Sequence, residues 1–411
     1  MTPSKQASPP GTGLESRVAE TGRLLSTTFQ RVLDALPDTA GGPQALATAL
    51  GLDKVLTSRL LKAVHNPDPM AAVHRAPGPE PLRRLLRAAK KRGVPAATVR
   101  EAEAAVDGFE RLIRVEAGDR SSLGAILSAW LPEAREEFEL RRKQSAFKAM
   151  SQLKGVSADI DFSTVLLSPS DDGEHLDVVW VMGQYGVQRL RPGATVKFIT
   201  RKLEDDGDER RPFGLSGSPV VDIEDMRLNQ FCHAPPAPLE ASPLGATVQY
   251  TLGDSGFGPR STVDVVLAEV NRREIRRYVP ERENRRAHVF AEISTPVKSL
   301  VFDVHVHRDV YPGSEPELVI YDTAGNGFAD PNDPSRDIDR FDVVERVRRL
   351  APDGSELRVT EVPKHLELMR HVYGQLGWDQ ADFRMYRCRV DYPIYGSQLT
   401  MVFDPPARPA D

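Results

Sequence analysis

The chain has 411 residues, 40% of them hydrophobic and 27% charged, with a net charge of −5. That length suggests two or three domains with cores of their own, and no run approaches the roughly 18 to 20 apolar residues that cross a bilayer. Two cysteines, Cys232 and Cys388, are too few for a disulfide framework or a cysteine-rich zinc site.

The N-terminus is polar and rich in Pro, Gly and Ser, without the apolar segment of a signal peptide. A cytoplasmic protein with no membrane partner and no cofactor is therefore expected. Arg outnumbers Lys by 42 to 12, which fits a GC-rich bacterial genome.

Residues 1–14 read as a disordered tail, too polar to offset the entropy of ordering. From 15 to 36, Val18, Leu24, Leu25, Phe29, Val32, Leu33 and Leu36 recur at helical spacing until Pro37 stops the pattern. Short helices are expected at 43–50 and 53–65, followed by a proline-dense loop. A basic helix should then run over 80–92 and another over 96–117. The stretch 120–152 is helical too, with a restart at Pro132. After Gly155 the period changes to strand-like alternation: 162–167, 176–182, 194–200, 247–252, 261–270, 287–293, 299–305, 317–322, 357–362, 383–390 and 398–403. One late helix is expected at 363–376.

The fold class read from this order is α+β: an all-α helix-turn-helix domain at 15–117, a connecting helix at 118–155, and a β-rich, antiparallel or sandwich-like region at 156–405. The last could split into two lobes near 235–245 or 276–286.

Charge follows the same division. Residues 1–155 carry 24 Lys and Arg against 17 Asp and Glu, whereas residues 156–411 carry 30 against 42. Within 54–100 there are 11 bases and only two acids, Asp68 and Glu80. A basic block in an acidic chain points to a polyanion partner.

The most specific motif spans 42–64. Gly51 supplies a left-handed turn, and Ala47 sits four residues earlier where two helices would cross. Leu46, Leu50, Leu52, Leu56 and Leu60 wedge the pair, and Asp53 can cap the second helix. Leu50-Gly51-Leu52 followed by Ser58-Arg59-Leu60-Leu61 resembles the pattern of bacterial helix-turn-helix DNA-binding regulators, from which Thr57 departs because Val or Ile is usual there. The resemblance implies a recognition helix at 53–65 whose outward face carries Lys54, Val55, Ser58, Arg59 and Lys62, with Arg59 bidentate to guanine and Gln44 on phosphate. The basic helix 81–92 would add a cationic strip of Arg83, Arg84, Arg87, Lys90, Lys91 and Arg92. Duplex DNA is the expected partner and transcriptional regulation the expected role. The stretch 120–152, where Leu123, Ile126, Leu127, Trp130, Leu131, Phe138 and Phe147 are apolar, is the candidate surface of a homodimer, the equal alternative being that it docks on the chain's own helix 15–36 or on the β-rich region.

Two rival functions follow from other features. One is a protein or RNA interaction module built on a β scaffold. The other is a metal-dependent hydrolase, since Asp303, His305 and His307 place three ligand types on one face of a strand. Gly214-Leu215-Ser216-Gly217-Ser218-Pro219 and Gly253-Asp254-Ser255-Gly256 resemble the nucleophile loop of trypsin-like serine proteases, but a His and an Asp should precede the Ser, so both read as tight turns. The acidic loop 330–339 lacks the glycine of an EF-hand and reads as solvated. No catalytic residue is assigned, and an enzyme is the less expected outcome.

Overall fold

The computed structural model describes residues 13–37, 42–202, 212–244, 247–253, 255–280 and 285–408. The expected tail at 1–14 lies outside them except for its last two residues. The chain divides into two compact units, Met1–Glu139 and Leu140–Asp411. The division falls inside a long helix, although the change of period falls at Gly155. The architecture is α+β, helical first and β-rich after.

The first unit begins with α1 (Leu14–Asp34), whose buried face carries Val18, Leu25, Phe29 and Val32 at helical spacing. Then come α2 (Pro43–Leu50), α3 (Lys54–Val64), α4 (Pro69–Arg75), α5 (Pro79–Lys91) and α6 (Ala96–Arg111), which runs into a π-helical turn at Leu112–Ala117. Helices α7 (Arg120–Ser128) and α8 (Pro132–Lys154) follow, and α8 begins at the expected proline. Helix α4 was expected to be loop. Its prolines do not prevent it, because Pro69 occupies the first helical turn, where a missing N–H costs nothing, and Asp68 caps the Met70 amide. A methyl group on Gly22 would fall 1.9 Å from the Pro69 carbonyl oxygen, so glycine sets how closely α1 approaches α4.

The second unit is built on a six-stranded sheet in the order β10-β11-β8-β1-β2-β6. Its strands are β1 (Val156–Pro169), β2 (His175–Arg189), β6 (Val263–Arg276), β8 (Val297–His307), β10 (Val347–Arg349) and β11 (Phe383–Asp391). All neighbours are antiparallel except β1 and β8, which run parallel with Leu166 opposite His305. One three-stranded sheet holds β7 (Ala287–Glu292), β12 (Ser397–Phe403) and β9 (Glu317–Asp322). The other holds β3 (Lys197–Lys202), β5 (Thr247–Leu252) and β4 (Leu239–Leu244). Strands from both sides of 235–245 and 276–286 share the six-stranded sheet, so neither stretch separates two lobes. One face of that sheet packs Phe302 and Val304 with Leu399 and Met401 of β12. The other packs Val301 and Met385 with Leu368, Met369 and Val372 of α9 (His365–Leu376).

The expected strand at 357–362 is not one. Leu357, Val359 and Val362 are buried, but turn bonds from Leu357 N–H to the Gly354 carbonyl and from Val362 N–H to the Val359 carbonyl replace a ladder. Strand β4 was missed because its sequence, LEASPL, sits within a proline-rich stretch.

Candidate nucleic-acid interface

The turn between α2 and α3 is fixed by two residues. Gly51 adopts φ 63° and ψ 39°, and its N–H, with that of Leu52, closes α2 on the Thr48 and Ala47 carbonyls. Asp53 then caps α3, its carboxylate accepting from the Val55 and Leu56 amides at 2.7 and 3.2 Å. Leu46, Ala47 and Leu50 of α2 and Leu56 and Leu60 of α3 are buried, with Leu46, Leu50 and Leu60 in one core. Thr57 is buried as well, and its hydroxyl donates to the Pro43 carbonyl at 2.8 Å. A threonine where the resembled pattern has Val or Ile is thereby accounted for, since it ties the middle of α3 to the start of α2.

The opposite side of α3 is outward. Lys54, Val55, Arg59 and Lys62 are exposed, Ser58 is half-buried, and the helix contains no acidic residue. Gln44 is exposed on α2, one turn before Thr48. Lys54 and Lys62 have no ion-pair partner among the described residues, and Arg59 reaches only the Ala76 carbonyl, at 3.4 Å.

Helix α5 buries Leu82, Leu85, Leu86 and Ala89, as its period requires, and turns its bases outward. They are not equivalent. Arg83 pairs with Asp107 at 2.7 Å and Glu110 at 2.5 Å on α6, and these hydrogen bonds raise its pKa. Arg87 pairs with Glu80 at 2.6 Å, which holds the Glu80 carboxyl below its ordinary range. Arg84, Lys90, Lys91 and Arg92 are exposed and form no salt bridge among the described residues, although the charge of Arg84 also acts on Glu80. The cationic strip is therefore shorter than the charge count suggests.

The apolar stripe at 120–152 is largely covered by the chain itself. Leu123 and Leu127 are fully buried, Trp130 and Leu131 pack on the same helical core, and Phe147 meets Tyr392 with ring centroids 5.4 Å apart.

In the second unit, Asp303 and His305 are committed to the core under α9. Both Asp303 oxygens accept from Arg387, Oδ1 from Nε at 2.8 Å and Oδ2 from Nη2 at 2.6 Å, and the pair is fully enclosed. Arg387 also donates to the Glu356 and Leu357 carbonyls. His305 Nδ1 lies 2.8 Å from the Tyr373 hydroxyl, and burial pushes its pKa down to about 3. His307 is partly exposed beside Asp309 and stacks edge-on against Phe383. The three alternate positions are thus not brought together as ligands. No group of three or more His, Cys, Asp or Glu able to hold a metal ion occurs among the described residues.

Ser216 sits in a tight turn, with Gly214 N–H bonded to the Ser218 carbonyl and Gly217 at φ 80°. Ser255 accepts from Arg189 at 2.6 Å, and Asp254 lies outside the described residues. The acidic loop is organised by a cation from the chain, since Arg336 donates to Asp339 at 2.7 Å and to the Phe328 and Gly327 carbonyls.

No helix of the described residues is long and apolar enough to cross a membrane. No family model matches the sequence, and no curated protein matches it. Among solved structures, the chain is similar to a candidate protease from Parabacteroides distasonis, with a TM-score of 0.27 and 7% identity over 61% of this chain. The match spans 40% of that protein's length. A superposition of that depth carries no argument about activity.

Proposed function

We propose that the first unit binds duplex DNA through the outward face of α3 and the unpaired bases of α5, and that the chain is a transcriptional regulator. The observation that carries this reading is the composition of one exposed helix face. Lys54, Val55, Ser58, Arg59 and Lys62 share it with no acid, behind a capped α3 wedged onto α2 at a left-handed glycine. Ion pairing supports it further, because Arg84, Lys90, Lys91 and Arg92 are exposed and form no salt bridge among the described residues, although Glu80 feels the charge of Arg84. Lysine and arginine so placed release counterions when they meet phosphate, and side chains from one helix face can reach base edges in the major groove. A single such helix reads few base pairs, so the reading also calls for a two-fold assembly on DNA.

Fluorescence anisotropy of the full chain with labelled duplex, from about 20 mM to 300 mM salt, tests the proposal. The expected result is an affinity falling linearly on a double logarithmic plot, with a slope of several units. Absence of binding at the lowest salt overturns it.

A further inference from the structure

The bases around the C-terminal end of α4 are treated unequally. His74 faces Glu137 at 3.2 Å and Arg75 faces Glu133 at 2.6 Å, so each has a carboxylate from α8. Arg59 and Arg120 have none among the described residues. Arg120 Nη2 reaches the Val73, His74 and Ala76 carbonyls at 3.0, 2.9 and 3.2 Å, and Arg59 Nη2 reaches that same Ala76 carbonyl at 3.4 Å. Two guanidinium groups therefore share one carbonyl oxygen, with no acid paired to either among the described residues. Arg120 lies over the Phe109 ring at 5.2 Å, and its Nη1 is buried without a partner. Burial first, and then the charge of Arg59, bring its pKa down to about 10.

Like charges this close repel, and the repulsion is relieved when an anion reaches the exposed member. Arg59 is that member, and it shares the α3 face with Ser58 and Lys62. We infer that Arg59 grips a phosphate of the DNA backbone and that Arg120 is the positioning residue behind it, its fixed charge and the shared Ala76 carbonyl orienting the Arg59 fork. The inference rests on the DNA-binding reading and changes the role expected for Arg59 from reading guanine to holding phosphate. Base discrimination then falls to Val55, Ser58 and their neighbours.

The test uses the full chain and duplexes of several sequences. Arg59→Gln should weaken every duplex by the same factor, on the order of tenfold, and reduce the salt slope by about 0.9. Arg120→Lys should keep the slope of the parent, and Arg120→Gln should reduce it in protein that still melts cooperatively. Should Arg120→Gln fail to fold, the Arg59→Gln and Arg120→Lys arms decide. A loss for Arg59→Gln confined to one sequence, with the slope unchanged, overturns the inference while leaving the DNA reading intact. If the parent chain binds no duplex, that reading falls, and inorganic phosphate alone then decides. A thermal midpoint raised by potassium phosphate above potassium chloride of equal ionic strength, and not raised in Arg59→Gln, supports the anion site. Equal behaviour of the two proteins overturns it.

Discussion

The Thr57 hydroxyl donates to the Pro43 carbonyl across the crossing of α3 and α2, inside a core where the side chain is fully buried. The Lys54 carbonyl, 3.0 Å away, competes for the same proton, so the hydroxyl always finds an acceptor. Thr57→Val keeps the shape and restores the residue usual in the resembled pattern, yet it leaves the Pro43 carbonyl without its donor. The expected outcome is a loss of about 1 kcal/mol in urea unfolding of the helical unit. An increase in stability would show that apolar packing at the crossing outweighs the hydrogen bond.

Gly51 has open space around the position of a Cβ, so its constraint is conformational and not steric. A left-handed backbone costs a residue with a side chain roughly 1–2 kcal/mol. Gly51→Ala should destabilise the helical unit by that amount, and Gly51→Asn by less. Both should reduce duplex affinity only as far as they unfold the protein, which circular dichroism at the assay temperature checks.

These two residues show what was legible in the sequence. Gly51 and Asp53 act locally on the backbone beside them, so the turn and the cap could be read from residue type and spacing. Helix α4 could not, because proline marks a loop and a first helical turn alike. The segment 357–362 has buried residues at strand-like spacing, but the Glu356 and Leu357 carbonyls go to Arg387, far away in sequence. The parallel pairing of β1 with β8 joins strands far apart in the sequence, and no local pattern encodes it. The same holds for charge, since Arg83 counts as a base until Asp107 and Glu110 are seen beside it.

Arg387 and Asp303 form a buried bidentate pair, which makes each intolerant of losing the other. Asp303→Leu or Arg387→Met alone should cost about 3–5 kcal/mol, because the remaining charge is left uncompensated. The double substitution Asp303→Leu with Arg387→Met should cost less than the sum of the two single changes. A double-mutant cycle in urea measures the coupling, and simple additivity would mean that the pair contributes no interaction of its own.

His305, beneath α9, and His365, the first residue of α9, are both buried and titrate well below the ordinary imidazole value of 6.5, His305 at about 3 and His365 at about 4. Burial is the main cause for both; the charge of His365 and then that of Arg387 add to it at His305, and the charge of Arg387 adds to it at His365. In the unfolded chain both take up protons near pH 6.5, so below that pH the unfolded state binds more protons than the folded one. Their contribution is complete above about pH 6.5 and is lost as pH falls towards about 4, with a slope near 1.4 kcal/mol per pH unit for each imidazole. The second unit should therefore melt at progressively lower temperature from pH 6.5 to 4.5. His365→Leu should flatten that dependence by about half. A melting profile unchanged by the substitution would place the acid sensitivity in other groups.

The unequal pairing on α5 makes the sharpest division among the charges of the first unit. Arg84, Lys90 and Lys91 are exposed and form no salt bridge among the described residues, although Glu80 lies close enough to Arg84 to feel its charge. Arg83 is held between Asp107 and Glu110, and breaking that contact to reach DNA would uncover two carboxylates facing the same polyanion. Replacing Arg84, Lys90 and Lys91 together by Gln should leave the thermal midpoint nearly unchanged, since exposed charges contribute little to stability. The same triple change should weaken binding to all duplexes alike and reduce the salt slope by up to about 3. Arg83→Gln should do the reverse, lowering the midpoint while leaving the slope near that of the parent chain. The two variants separate a structural base from a ligand-facing one on the same helix, in a way that total charge cannot. If Arg83→Gln lowers the salt slope as much as one residue of the triple change does, the ion pairs with α6 open on DNA. The binding edge of α5 then includes the whole strip read from the sequence.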